Sequence, residues 1–331
     1  MMTTNMLLSD KSRVTHRLQR SFQRGLSMVE LLVSLVLMGL VTLATVSLYS
    51  ATSQSYKTID SAQELNDNAR YAFEVIGQAM RIAGYQEYMP NNVDAPKVVG
   101  QIYKAVCQSA DAPCPIIGFN NSKIASVSSV TDFGSTNNGG VNFSDTLGVT
   151  FVGSSLPSDT GEPDGGVVDC QGIAQPGIMS ATNPRSDLGL SLFWVTTGAG
   201  EPELSCISRG NVKLSGGLVR SSEPIVRGVE TFQVMYGIDS DGDSLPNKWV
   251  SAQDVTDWML VRAVRVGFVL RGRPGSAQST SAVAGGDILY PLGKDFIGAS
   301  TEDGLAFTPP VDSRIRRAYT STYMLRNSTP L

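Results

Sequence analysis

The sequence predicts an α+β fold in which one long N-terminal helix packs on an antiparallel β-sheet head. Three observations predict it. No residue from Leu31 to Tyr49 is charged, no proline precedes Pro90, and beyond residue 145 several runs alternate apolar with polar residues. A long helix followed by antiparallel strands is the layout expected when a helix covers one sheet face. The 331 residues, 41% hydrophobic, have room for a sizeable core.

The first element is the helix. Residues 1–25 are polar and basic, with Lys11, Arg13, Arg17, Arg20 and Arg24 against Asp10 alone. The run LSMVELLVSLVLMGLVTLATVSLY, residues 26–49, carries one charge, Glu30. At about 1.5 Å per residue its uncharged part spans roughly 28 Å, one bilayer core. The basic flank comes first, so the N-terminus is expected to stay cytoplasmic while the rest crosses. A cleaved secretory signal would have a shorter apolar region and a small-x-small site after it. This run is longer and no such site follows.

Beyond residue 49 the helix is expected to continue to about residue 83. Leu65, Ala69, Ala72, Ile76, Ala79, Met80 and Ala83 recur at spacings of three and four, which makes one apolar face. Gly84 suits a C-cap.

The remainder reads as a β-rich head. Residues 90–145 look like loop, with the turn clusters NNVDAP, NNSK and GSTNNGG. Strands are expected where Leu147, Val149 and Phe151 alternate with Thr146, Gly148 and Thr150, and at Leu190, Leu192 and Trp194. Short pieces follow near 204–208 and 212–219. Stronger strands run through Phe232, Val234, Tyr236 and Ile238, and through VRAVRVGFVLR, residues 261–271. Residues 272–310 return to loop, and a short strand is expected at 318–326. No internal repeat and no separate second domain is expected.

Composition narrows the chemistry. The only histidine, His16, lies in the polar leader, so Ser-His-Asp, Cys-His and His-ligated zinc chemistries are not supported. The net charge of −4 supplies no basic field for a nucleic-acid backbone, and no direct nucleic-acid contact is expected. An enzyme is not expected.

Three groups of residues are candidates for function. Glu30 is a lone carboxylate near the start of an apolar helix, where burial in hydrocarbon costs about 2.5–3.5 kcal/mol on insertion scales. It sits either at headgroup level or against a cation of another subunit. Cys107, Cys114, Cys170 and Cys206 all lie beyond the membrane run, where disulfides persist. Four cysteines allow three pairings. Cys107–Cys114 and Cys170–Cys206 are favoured, the first closing a short loop and the second tying the 154–189 region to the strand near 206. Zinc is disfavoured because there is no CxxC. In GIDSDGDSLPNKW, residues 237–249, Asp239, Asp241 and Asp243 are spaced like the first three oxygen ligands of a calcium loop. Ser244 replaces the usual glycine and Val250 the bidentate glutamate. The alternative is a solvated β-turn that uses Asp and Gly for its geometry. No cofactor is expected apart from this candidate calcium.

RGLSMVELLVSLVLMGL, residues 24–40, resembles the class III leader and first helix of type IV pilins and type II secretion pseudopilins. MRIAGY at 80–85, YGIDSDGD with VSAQDVTDW and VRAVRVGFVLR, and the closing RRAYTSTYMLRN resemble the PilW family of minor pilins. The resemblance implies a type IV pilin-like fold with a leader, 1–25, cut off between Gly25 and Leu26 by a prepilin peptidase. Leu26 would then be N-methylated, and Glu30, fifth in the mature chain, would neutralise the N-terminal amine of a neighbouring subunit. It further implies a helix over 26–84, membrane-spanning over 26–49, and a periplasmic head over 85–331. Cleavage would leave 306 residues with 21 basic and 29 acidic side chains, a net charge of −8.

The function implied is a minor pilin that helps prime type IV pilus assembly and is incorporated near the tip. It would support twitching motility, adhesion or DNA uptake. Partners implied are other minor pilins, the major pilin, the prepilin peptidase and the inner-membrane assembly platform. The location implied is the inner membrane, then the pilus and cell surface. The alternatives are a J-type minor pseudopilin of type II secretion and a membrane-anchored surface adhesin.

Overall fold

Helix α1 runs from Met28 to Ile82 in the computed structural model of the chain. The structure describes residues 25–85, 114–124, 139–156, 162–177, 188–198, 200–208, 213–214, 217–218, 222–277, 288–296 and 304–327. Two compact units divide the chain, Met1–Ser53 and Gln54–Leu331. The division has a physical basis in α1 itself: its uncharged stretch buries none of its side chains, and an 18-residue window there has a mean hydropathy of 2.4. It is the one helix among the described residues long and apolar enough to cross a membrane.

Among the described residues, the second unit takes the rest of α1 and eleven strands. These are β1 (Ile116–Phe119), β2 (Thr146–Phe151), β3 (Gly189–Gly198), β4 (Glu201–Ser208), β5 (Lys213–Leu214), β6 (Gly217–Leu218), β7 (Ser222–Arg227), β8 (Val229–Ile238), β9 (Lys248–Val250), β10 (Val261–Arg271) and β11 (Arg316–Met324). A five-stranded sheet has the order β1-β2-β3-β4-β7, a four-stranded sheet the order β11-β10-β8-β9, and β5 and β6 form a small ribbon. Every pairing is antiparallel. The expected antiparallel head is thus built of two principal sheets.

The periodic face of α1 is buried as its spacing requires, with Ala72 and Ile76 fully covered. Its partners lie on β10 and β11. The Phe73 and Phe268 rings stack with centroids 4.7 Å apart. The Tyr323 hydroxyl donates to the Phe73 carbonyl at 2.8 Å, and the Tyr319 hydroxyl to Asn66 Oδ1 at 2.8 Å. Gly77 lets the Tyr323 ring lie close against the helix, since a Cβ there would sit 3.0 Å from it. The helix ends at Gly84, whose φ of 67° a side chain would strain. Asn327 Nδ2 donates to the Arg81 and Ala83 carbonyls, two acceptors the helix end leaves without partners. Truncating Ile76 to Ala in this setting costs about 2–5 kcal/mol.

One core joins this helix face to the inner faces of both sheets, with Leu147 and Val149, Phe193 and Val195, Phe232 and Tyr236, and Val266 and Phe268 all within it. Leu190, Leu192 and Trp194 face the other way and form a separate small cluster with Ile207. Strand β3 is therefore covered on both faces, which alternation alone does not reveal. The expected loop over 90–145 also needs correction. Ile116–Phe119 is a strand because it pairs with β2, Ile116 opposite Val149.

Candidate functional site

The residues expected to carry function fall at separate places. At the start of the chain, Gly25 and Leu26 precede α1 and are exposed. A Cβ at Gly25 would meet nothing within 4 Å. Among the described residues no packing demands glycine there. Glu30 lies in the first turn of α1, where the helix dipole favours a carboxylate.

The acidic turn sits on the four-stranded sheet, between β8 and β9. Asp239 is buried, 1% exposed, whereas Asp241 and Asp243 are exposed. Asp239 Oδ1 accepts the Gly242 N–H at 2.7 Å. Its Oδ2 accepts the Ser244 N–H at 3.0 Å and Arg262 Nε at 3.3 Å. Burial works against ionisation of Asp239, yet the Gly242 and Ser244 N–H groups and the Arg262 guanidinium outweigh it, so the carboxyl is held below the usual carboxylate range. Asp241 Oδ2 accepts Asn247 Nδ2 at 3.0 Å, and Asp243 Oδ1 accepts the Leu245 N–H at 2.8 Å. Gly242 and Ser244 both have positive φ, 83° and 69°, which ties the turn's shape to the Asp239 cap.

These bonds fix the β8–β9 hairpin. The Asp239 N–H donates to the Leu260 carbonyl at 2.9 Å, the Asn247 N–H donates to the Ile238 carbonyl at 2.9 Å, and Gly237 then pairs with Trp249. Arg262 also donates from Nη1 to the Met259 carbonyl at 2.9 Å, stitching the turn to the start of β10. The three carboxylates each offer one oxygen within 4.8 Å of the others, a spacing that a cation with oxygen ligands at about 2.3–2.6 Å accommodates. The residues fit calcium in spacing, and Asp239 also has a resident cation in Arg262.

Two family models match parts of the chain. The family described as Type IV Pilus-assembly protein W matches residues 192–327, and the prokaryotic N-terminal methylation motif matches residues 20–46. Most of the sheet region is thus similar to the PilW family, and the start of the chain carries the motif of prepilins. Together the two matches place the chain in a type IV pilus system. Among solved structures, a type IV-like pilin from Thermus thermophilus is similar at 10% identity, covering 70% of this chain and 95% of its own, and a TM-score of 0.32 marks the likeness as loose. No curated protein matches the chain significantly.

The PilW match runs from β3 through β11 and takes in the acidic turn, Arg262 and the β10–β11 ladder. The methylation motif takes in Gly25, Leu26 and Glu30. Just ahead of the PilW match, Cys170 is joined by a disulfide to Cys206 on β4, with Cα atoms 6.5 Å apart. The link pins a tight loop in which Gln171 donates to the Cys206 carbonyl and Asp169 accepts the Gln171 and Ile173 N–H groups. Cys114 is also disulfide-bonded, and Cys107 lies outside the described residues. Sequence reasoning passed over Arg262 and Asn247, the partners that hold the acidic turn. Asn247 is inside the motif, six residues from Asp241, and a polar residue at that distance was the available signal. Arg262 is 23 residues from Asp239, and only the β8–β10 register brings the two together.

Proposed function

We propose that this chain is a minor pilin that helps prime assembly of a type IV pilus and is then carried near its tip, supporting twitching motility, adhesion or DNA uptake. One observation carries the reading: a PilW match over 192–327 and a prepilin methylation motif over 20–46 occur in the same chain. In this reading the leader is cut between Gly25 and Leu26 on the cytoplasmic side and Leu26 is methylated. The helix anchors the chain in the inner membrane, and the head folds in the periplasm.

Glu30 then meets the amine of a neighbouring subunit. Each charge is costly to bury alone, and the two offset each other when helices pack side by side. Partners in this reading are the other minor pilins, the major pilin, the prepilin peptidase and the inner-membrane assembly platform. Calcium is proposed as an accessory ligand of Asp239, Asp241 and Asp243, where it would add to the ordering of the β8–β9 turn.

The test uses the chain in its own cell. Gly25→Val should accumulate uncut protein by N-terminal mass spectrometry. Glu30→Ala should be cut, inserted and folded, yet leave cells without pili or twitching. Normal piliation with Glu30→Ala overturns the assembly role. Loss of protein secretion with pili intact assigns the chain to a type II secretion pseudopilus instead.

A further inference from the structure

Beside the acidic turn the head carries a cavity of about 760 Å³ that none of these roles uses. Its floor includes Gln233 and Met235 of β8, and its walls are β9, the turn after β9, and the segment ending at Phe296. The turn chemistry builds one wall: by fixing the pairing of Gly237 with Trp249 it places the indole at the cavity. Trp249 and Phe296 meet edge to face, centroids 6.2 Å apart and planes at 88°. Arg265 lies 4.8 Å from the Phe296 ring centroid and donates from Nε to the Leu292 carbonyl at 3.2 Å, so the second ring is fixed from behind. The segment carrying Phe296 can lie against β10 because residue 267 is glycine; a Cβ there would come 2.1 Å from the Pro291 carbonyl oxygen.

Both rings are half-buried, so each keeps an accessible part. Around them stand polar groups of mixed sense. Asn120 accepts the Ala252 N–H through Oδ1, which commits its carbonyl end and leaves its amide N–H groups as donors. Asp254 commits one oxygen to the Ser251 hydroxyl at 2.7 Å, and Asp295 and Gln253 are exposed at the rim. Among the described lining residues three are acidic, Asp145, Asp254 and Asp295, and one is basic, Lys248; Asp145 is buried and accepts the Asn121 and Val234 N–H groups, so Asp254 and Asp295 are the exposed acids. Two rigid aromatic surfaces set among amide donors and carboxylate acceptors match a ligand with apolar C–H faces and hydroxyls that both donate and accept. The excess of carboxylates repels phosphate, sulfate or uronate groups.

We propose that this cavity binds a neutral saccharide, with Trp249 as its stacking platform. A basic peptide is the rival that the carboxylates would admit, but it leaves the amide donor of Asn120 without a purpose. The inference rests on the head being exported, and it is tested on the isolated full chain, so failure of the pilus role and failure of the cavity give different results.

The experiment presents the detergent-solubilised full chain to an array of neutral, sialylated and uronate-containing oligosaccharides, with hexalysine peptide as a separate probe. Binding of at least one neutral oligosaccharide is expected, at least tenfold tighter than its sialylated or uronate form. Trp249→Leu should weaken that binding at least tenfold with the melting temperature unchanged, and Trp249→Phe should keep most of it. Asn120→Asp, which replaces a donor by an acceptor, should also weaken it and provides a second readout if Trp249→Leu is unstable. Absence of neutral-glycan binding at millimolar ligand overturns the proposal. So does binding that neither Trp249→Leu nor Asn120→Asp alters, or capture of hexalysine in place of the glycans.

Discussion

Arg316 and Glu230 form a two-armed pair, Nε to Oε2 at 2.6 Å and Nη2 to Oε1 at 3.0 Å, with side chains only 2% and 3% exposed. The pair joins β11 to β8 across β10, and Arg271 reaches the same glutamate at 3.2 Å. Arg316 also reaches Asp312 at 2.6 Å, so the two buried ions sit in a four-membered network with Arg271 and Asp312 at its more exposed ends, and removing one buried ion costs more than removing both. Glu230→Gln should destabilise the folded chain by roughly 3–5 kcal/mol in urea unfolding. Glu230→Met combined with Arg316→Met should recover much of that loss. A double variant as weak as the single one would show that packing, not charge, holds this strand.

Tyr236 gives the opposite case. Its hydroxyl is wholly buried and has no hydrogen-bond partner among the described residues, and burial pushes its pKa well above the usual tyrosine value. A buried unpaired hydroxyl costs about 1–3 kcal/mol in desolvation. Tyr236→Phe should therefore leave stability unchanged or raise it by about 1 kcal/mol. Gly118→Ala should be severely destabilising, because its Cβ would lie 1.8 Å from that hydroxyl oxygen. A clear loss of stability in Tyr236→Phe would reveal a partner for the hydroxyl.

Acid should weaken the head. Arg314, with Arg271, holds the Glu201 carboxyl below the usual range, and Arg316, with Arg314, does the same for Asp312. A carboxyl whose folded pKa is depressed contributes stability above its unfolded pKa, about 4, and loses it as pH falls through the folded value. Asp169, which burial pushes up, acts in the other direction and regains stability as it protonates. Urea midpoints should thus be level from pH 8 to about 6 and fall below about pH 4. Glu201→Gln should flatten that acid limb, and an unchanged limb would remove Glu201 from its cause.

Calcium is tested through melting. A ligand that binds only the folded chain raises its stability by RT ln(1 + [L]/Kd). Millimolar calcium should raise the melting temperature of the wild type relative to chelator. Asp241→Asn with Asp243→Asn should abolish the rise and leave the Asp239–Arg262 pair intact. Identical curves for the wild type in calcium and chelator would leave Asp241 and Asp243 as turn residues only.

Legibility in the sequence followed periodicity. The face of α1 from Leu65 to Met80 and the strands β8 and β10 were readable because their apolar residues recur at fixed intervals over several turns or pleats. Strands β1, β7 and β9 were not, since they are short and owe their conformation to the strands they pair with. The acidic turn was visible as a motif, but the Asp239–Arg262 contact was set by strand register. Trp249 drew no notice because its surroundings come from distant segments: Asn120, Asp254 and Phe296 approach it only after the sheets assemble.

The hydroxyl of Tyr323 reaches the carbonyl of Phe73 across 250 residues of chain. Pairings of that span form late, because closing so large a loop has an entropy cost before any contact repays it. A chain emerging from a membrane in sequence order would present Leu65, Ile76 and Met80 to its surroundings long before β11 arrived to cover them. If the head is exported as proposed, the dangerous interval in the life of this protein is that passage, when an uncovered helix stripe invites aggregation. Variants that weaken β11 should be found clumped or degraded at the membrane, rather than finished and inactive.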